Sequence, residues 1–226
     1  MKSLLARWTF LISALLTIAG GNLLAQSPAP RDLNMKVTVR VTKSTPERIL
    51  SVLARSTRIP IAFEATSEKG LAARITLDLV ETRLGTILDD ALAQMSDYEY
   101  SFDGSVIRIS PKTQTPSLLD MRMNRTSLNR VRYEDLGDSI LMSAKVKEEI
   151  LKRRMQIGTC DNPRNQHPML TESVNYDPNE LFTQEFAAGG TLRDLLNTLL
   201  RQRSVSFWGL QQTNACGRFI SLTIDR

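Results

Sequence analysis

Hydrophobic and polar residues alternate in several short segments between residues 36 and 110, and stretches in which apolar residues recur with helical spacing lie between these segments. Val37, Val39 and Val41 lie on one face of the segment 36–42, which is typical of a half-buried strand. Residues 74–80 alternate in the same way, and 61–63 and 98–102 are further short strand candidates. Between residues 82 and 95, apolar side chains recur every three or four positions, which predicts a helix with one buried stripe (Leu84, Ile87, Leu88, Ala91, Leu92 and Met95).

Turn and cap signals divide this region into seven elements. Ser44 and Thr45 precede Pro46 and Glu47, a pattern that favours a helix start, and Pro60 limits the helix that follows. We predict that this helix buries Ile49, Val52 and Leu53. Asp103-Gly104 predicts a tight hairpin before a last strand with Ile107 and Ile109. The predicted order is β-α-β-β-α-β-β, so we expect an α+β fold in which helices pack on a small mixed sheet.

These elements bear a recognisable resemblance. The motifs KVTVRVT, STPERIL, RITLDLV, RLGTILDDAL and YEYSFDGSVIRIS, all within residues 36–110, resemble the short N-terminal domain shared by secretins and TonB-dependent receptors. The resemblance implies a periplasmic module that contacts envelope proteins and transmits signals or assists assembly, without enzymatic activity. In that family the module precedes an outer-membrane channel. The residues after 111 do not predict such a channel, so we expect any transport role to depend on a partner.

The second half of the chain partly repeats the first. The spacing of Leu192, Leu195, Leu196, Leu199 and Leu200 matches that of the helix at 82–95 with an offset of 108 residues, and Thr191 with Asp194 supplies a cap signal. Strand patterns at 204–210 and 219–224 follow this helix, as 98–102 and 106–109 follow the earlier one. A degenerate second copy at 118–226 is one interpretation, and a generic helix and hairpin is the other. We also expect a strand at 118–123 and a helix at 139–155.

The N-terminal residues predict export. Lys2 and Arg7 precede about a dozen mostly apolar residues (8–19), and Ala25 is a small residue suited to cleavage, so 1–25 is typical of a signal peptide. Cleavage after Gly21 and retention as a membrane anchor are the alternatives, but the apolar run is short for a span, which needs about 20 residues. We therefore predict a periplasmic protein with a flexible leader at 26–35, a first domain at 36–111, a linker at 112–117 and a second α+β domain at 118–226.

Composition and charge exclude some functions. The chain has 226 residues, 42% of them hydrophobic, and a formal charge of +5, which falls to +3 when Lys2 and Arg7 are removed with the signal. Nine basic residues between Arg122 and Arg154 are interleaved with five acids, so this segment is best interpreted as solvated surface. Nucleic-acid binding requires a denser basic face, and we predict no nucleic-acid partner.

The chain offers little material for catalysis or metal binding. Cys160 and Cys216 are its two cysteines, and in an oxidising compartment we predict that they form a disulfide, with a pair of free thiols as the alternative. The bond would close a loop of about 56 residues and stabilise the fold by about 4 kcal/mol. His167 is the single histidine, and a hydrolase using Cys160 and His167 is a further hypothesis. We predict no catalytic residues, no metal and no cofactor.

The sequence as a whole favours a binding role. We expect a non-enzymatic module that contacts an envelope protein, such as an outer-membrane channel, a pilus component or a TonB-linked regulator. Addition of a partner strand to an open sheet edge, or docking on a sheet face, is the expected mechanism. The alternative is a periplasmic binding protein for a cell-wall glycan or another small envelope ligand.

Overall fold

A computed structural model describes residues 32–66, 70, 72–113, 116–158, 180–202, 204–214 and 217–226. In the first half these residues form β1 (Lys36–Ser44), α1 (Pro46–Thr57), β2 (Ile61–Ala65), β3 (Ile75–Arg83), α2 (Leu84–Ala93), β4 (Tyr98–Phe102) and β5 (Ile107–Pro111). In the second half they form β6 (Thr126–Arg132), α3 (Leu136–Leu141), α4 (Ala144–Lys152), β7 (Gln156–Ile157), β8 (Leu181–Phe186), α5 (Leu192–Arg201), β9 (Phe207–Thr213) and β10 (Phe219–Asp225). Two short 3-10 helices lie at Leu118–Asp120 and Tyr133–Asp135.

The predicted α+β class and the β-α-β-β-α-β-β order of the first half are confirmed. The helical stripe of α2 is buried as predicted, because its apolar positions follow the 3.6-residue period. In α1, however, Ile49, Leu50 and Leu53 are buried whereas Val52 is 36% exposed, so the prediction for Val52 was wrong. Thr45 is the N-cap of α1 and makes no capping bond with its side chain.

Two predictions for the second half were also wrong. The segment 118–123 begins with a 3-10 helix and not a strand, because Ser117 and Asp120 cap each other's backbone N–H groups in a capping box. The single helix expected at 139–155 is two helices, α3 and α4, which are interrupted at Ser143. The Ser143 hydroxyl donates to the carbonyl of Ile140 and the chain turns there before α4 begins.

The main sheet runs through both halves of the chain. Its six strands are arranged in the order β4-β5-β2-β9-β10-β7, and β2 of the first half pairs in parallel with β9 of the second. Residues Asp32–Arg226 form one compact unit, so the predicted division into two domains is not confirmed. The strand pairs β1-β3 and β6-β8 form separate antiparallel two-stranded sheets.

The two halves use the same strand pairings. In the first, β2 is parallel to β5 and β4 is antiparallel to β5; in the second, β7 is parallel to β10 and β9 is antiparallel to β10. Because β2 and β9 are themselves parallel, equivalent strands of the two halves run in opposite directions. A half-turn about an axis in the sheet plane, perpendicular to the strands, combined with a shift of three strands along that axis, therefore relates the halves and places their helices on opposite faces.

The two hydrophobic cores follow from this arrangement. Phe63 of β2 packs with the buried faces of α1 and α2 on one side of the sheet, whereas its neighbour Ala62 packs with α5 on the other. Successive side chains of a strand point to opposite faces, and β9 obeys the same rule, with Phe207 in the first core and Trp208 in the second. The joint strands β2 and β9 thus contribute to both cores.

An equivalent β-bulge in each half supports the correspondence. Lys43 and Arg130 have φ of 50° and 55°, a left-handed conformation that is uncommon for residues other than glycine. At each bulge two residues on one strand oppose a single threonine on the other, and that threonine accepts a hydrogen bond from the strained N–H group. Lys43 N–H donates to Thr76 Oγ1 at 3.1 Å, and Arg130 N–H donates to Thr183 Oγ1 at 3.0 Å.

Candidate interaction site

β4 is the outermost strand on one side of the six-stranded sheet, and among the described residues its outer side is open; we call this side the β4 edge (Tyr98–Phe102, on the side away from β5). Glu99 pairs with Ser110 and Ser101 pairs with Arg108. The ladder continues beyond both ends of the strand, where Lys112 N–H donates to the Asp97 carbonyl at 2.8 Å and Asp103 N–H donates to the Val106 carbonyl.

These two bonds fix the direction of the backbone groups of β4. In an antiparallel ladder every second residue bonds to the neighbouring strand, and the backbone groups of the residues between them point to the other side. Asp97 and Asp103 bond to the β5 side, so Glu99 and Ser101 also face β5. The N–H and C=O groups of Tyr100 and Phe102 therefore face outward. Among the described residues no strand occupies this edge.

The side chains of β4 divide into an apolar face and a polar face. Tyr98 is buried, with its ring centroid 5.6 Å from that of Phe63, and Tyr100 and Phe102 pack against the same core. Glu99 and Ser101 point to the opposite face of the sheet and are exposed. The β4 edge is thus amphipathic across the plane of the sheet.

A polar pocket of about 330 Å³ lies next to this exposed face of β4. It lies on the same face of the sheet as α5, over the part that α5 does not cover, and its walls come from β2, the 3-10 helix at Leu118–Asp120, and α5. Hydroxyl, carboxylate and guanidinium groups dominate the lining (Glu64, Thr66, Ser101, Arg108, Ser110, Pro111, Ser117, Asp120 and Arg193). Because both halves of the chain contribute to the lining, the pocket depends on the parallel joint between β2 and β9.

An ion-pair network centred on Arg193 forms one wall of the pocket. The Arg193 guanidinium contacts the Glu64 carboxylate, and its Nη2 lies 2.8 Å from Asp120 Oδ1. Glu64 is only 8% exposed, and burial lowers the pKa of Arg193. Since Glu64 belongs to β2 and Arg193 to α5, the network links the two halves electrostatically.

A second charged group lies at the end of the β4–β5 hairpin. Asp103 Oδ1 accepts hydrogen bonds from the backbone and hydroxyl of Ser105, and Asp103 Oδ2 lies 2.6 Å from Arg108 Nη2. Burial acts to raise the pKa of Asp103, but the hydrogen bonds and the Arg108 charge outweigh it and lower the pKa to about 2. The carboxylate therefore stays ionised at physiological pH and holds Arg108 beside the pocket.

A carboxyl group on the other face of the sheet is partly shielded from water. Glu47, in the first turn of α1, accepts a hydrogen bond from the Gln211 side chain of β9, and its Oε1 atom is buried without a hydrogen-bond partner. Burial raises the pKa of Glu47, and the nearby Asp225 carboxylate raises it further, whereas a hydrogen bond from Thr223 acts to lower it. The glutamate expected to cap α1 is therefore directed at the sheet.

The structure shows where several residues of the second half lie. Phe207 and Trp208 are 0% and 1% exposed, so neither side chain is accessible to a partner. The cap signal of Thr191 and Asp194 is a capping box at the start of α5, in which the Asp194 carboxylate accepts from the Thr191 N–H at 2.8 Å. Cys160, Cys216 and His167 lie outside the described residues, so the predicted disulfide stays a prediction.

The residues of the pocket were not predicted from the sequence. Glu64 has one visible signal, an acidic residue within the otherwise apolar run IAFEA, and such a position needs a buried partner. Arg193 has no comparable signal, because a basic residue in the first turn of a helix is usually exposed. The pairing of these two residues depends on contact between segments about 130 positions apart in the chain.

Comparisons with models of protein families and with curated proteins found no match to this chain. Among the described residues, no helix combines the length and apolar character that a membrane span requires. The same residues contain no cluster of three or more histidine, cysteine, aspartate or glutamate side chains arranged to hold a metal ion.

Proposed function

We propose that this chain is a non-enzymatic periplasmic interaction module that works with an outer-membrane secretion, pilus or TonB-linked system. The observation on which the proposal rests is the β4 edge, where Tyr100 and Phe102 direct backbone donors and acceptors outward. An exposed sheet edge of this kind is a template for a strand from another chain. The export signal predicted at 1–25 and the resemblance of 36–110 to the short N-terminal domain of secretins and TonB-dependent receptors support the envelope setting.

Capture from mildly crosslinked cell envelopes tests this function. The full-length tagged protein is the bait, and mass spectrometry identifies the proteins that co-purify. We expect enrichment of an outer-membrane channel, a pilus component or a TonB-linked regulator. An exported, soluble bait that enriches none of these classes would contradict the proposal.

A pair of charge-reversal variants makes the capture specific for the β4 edge. Glu99→Lys reverses an exposed charge on β4, and Asp138→Lys reverses an exposed charge on α3, which packs on β10 far along the sheet. We expect Glu99→Lys to reduce the yield of the captured partner and Asp138→Lys to leave it unchanged. Equal yields from both variants would argue against strand addition at β4.

The polar pocket supports a second candidate function, the binding of a small envelope ligand such as a cell-wall glycan. Thr66, Ser101 and Ser110 provide hydroxyl groups next to Arg108, a combination suited to a polyhydroxylated molecule. Thermal stabilisation by muropeptides, and not by unrelated sugars, would favour this function. Equal melting temperatures with and without muropeptides would exclude it.

A further inference from the structure

The joint between the two halves shows, within this chain, how one strand adds to the open side of a strand equivalent to β4. The shared pairing pattern makes β9 the equivalent of β4, and the offset of 108 residues that aligns α2 with α5 also aligns 98–102 with 206–210. The side of β9 away from β10 is occupied by β2, in parallel, from Ile61 opposite Phe207 to Ala65 opposite Gln211. The corresponding side of β4 is the β4 edge.

The backbone groups of the two strands match under this alignment. Ile61 N–H donates to the Ser206 carbonyl at 2.9 Å, so Ser206 and the alternate residues Trp208 and Leu210 face β2. With the 108-residue offset, Trp208 and Leu210 correspond to Tyr100 and Phe102. These are the residues of β4 whose backbone groups face outward.

The side chains of β4 and β9 are alike on one face of the sheet and differ on the other. On the first face, Trp208 and Leu210 pack in the core of the second half, as Tyr100 and Phe102 pack in the core of the first. On the other face, Phe207 is buried and Gly209 lies against Glu47 of α1, whereas the equivalent Glu99 and Ser101 are exposed. A strand added to β4 would therefore bury its side chains on the face of Tyr100 and Phe102 and leave those on the face of Glu99 and Ser101 exposed to solvent.

From this comparison we infer that the β4 edge binds an extended segment of a partner protein in parallel orientation, over about five residues, with alternating apolar and polar side chains. The inference rests on the proposed function and adds the direction of the partner segment and its pattern of side chains. In a parallel pair, side chains of adjacent residues on the same face are neighbours. Apolar residues of the segment lie beside Tyr100 and Phe102, and polar residues lie beside Glu99 and Ser101, with Lys or Arg favoured next to the Glu99 carboxylate.

Site-specific photo-crosslinking in the full chain tests the orientation. A photoreactive amino acid is placed at residue 99 or residue 101, and at Asp138 as the control position, and the crosslinked partner peptides are sequenced by mass spectrometry. In parallel orientation the crosslink from residue 99 maps about two residues N-terminal to the crosslink from residue 101 in the partner segment. The reverse order would overturn the inference, and so would crosslinks to a second copy of this chain.

A pair of substitutions at Tyr100 tests the outward donor. Tyr100→Ala and Tyr100→Pro both remove the ring, but only the proline also removes the N–H group, and proline is tolerated on an edge strand when that group faces away from the sheet. We expect the proline variant to capture roughly five- to tenfold less partner than the alanine variant, the loss expected for a hydrogen bond. Matching thermal unfolding of the two variants shows that the fold is retained.

The outcomes separate this inference from the proposed function. A partner that is captured equally by both Tyr100 variants, and that does not crosslink to residues 99 and 101, overturns the inference and leaves the interaction module standing. Failure to capture any envelope partner with the unmodified chain overturns both. Crosslinks in parallel order together with a weaker proline variant support both.

Discussion

Removing one partner of the ion pair between Glu64 and Arg193 should strongly destabilise the fold, and Arg193→Met tests this. The substitution keeps much of the side-chain volume but leaves the Glu64 carboxylate, which is 8% exposed, without its cation. Removing one partner of a buried pair costs about 3–5 kcal/mol. Because the Arg193 side chain is itself 29% exposed and water offsets part of the loss, we expect about 3 kcal/mol.

Urea unfolding followed by circular dichroism measures this loss of unfolding free energy. In thermal unfolding of a unit of this size, the same loss should lower the melting temperature by about 6–12 °C. Arg40→Met is the matched control, since the Arg40–Asp78 pair joins side chains that are 71% and 79% exposed, and its loss should cost less than about 1 kcal/mol.

The double variant Glu64→Gln with Arg193→Met identifies the origin of the effect. If the single variant is destabilised by an unpaired buried charge, neutralising Glu64 should restore most of the lost stability. A single variant that loses no more than the Arg40 control, or a double variant less stable than the single one, would refute the reasoning.

Three further predictions concern pH and the bulges. The folded state raises the pKa of Glu47, so this residue stabilises the fold fully below about pH 4.5, and that stabilisation is lost as pH rises through the folded pKa. Glu47→Gln should therefore unfold at a higher temperature than wild type at pH 7 and at the same temperature at pH 4. The pKa of Asp103 is lowered to about 2, so its contribution is present above about 4 and is lost as pH falls towards 2; a denaturation series from pH 5 to 2 should be flatter for Asp103→Asn, and equal slopes would contradict this. Thr183→Val removes the acceptor for the strained Arg130 N–H and should cost about 1 kcal/mol in urea unfolding, whereas an unchanged midpoint would count against the role of the threonine.

Local patterns in the sequence predicted most elements of the first half correctly. Alternation of Val37, Val39 and Val41 and the stripe along α2 directly reflect which side faces the core, so periodicity alone locates these elements. The exposure of Val52 could not be predicted in this way, because it depends on where the sheet lies around α1.

The joint between the halves was beyond the reach of sequence patterns. Pairing of β2 with β9 joins residues more than 140 positions apart, and nothing in the run IAFEA specifies a parallel neighbour in the second half. A strand was predicted at 204–210 and lies at Phe207–Thr213 in the structure, but the burial of Phe207 in one core and Trp208 in the other follows only from the central place of this strand in the sheet. The pocket and the Arg193 network depend on that same joint.

Hydrogen exchange at two amides tests the central claim, the engagement of the β4 edge by a partner strand, most directly. In the free protein the N–H groups of Tyr100 and Phe102 face outward, so we predict that both exchange rapidly, while those of Glu99 and Ser101 are protected by pairing with β5. On binding of the captured partner, Tyr100 and Phe102 should become protected to the level of Glu99 and Ser101. A complex in which the partner is bound and both amides still exchange as fast as in the free protein would contradict the claim.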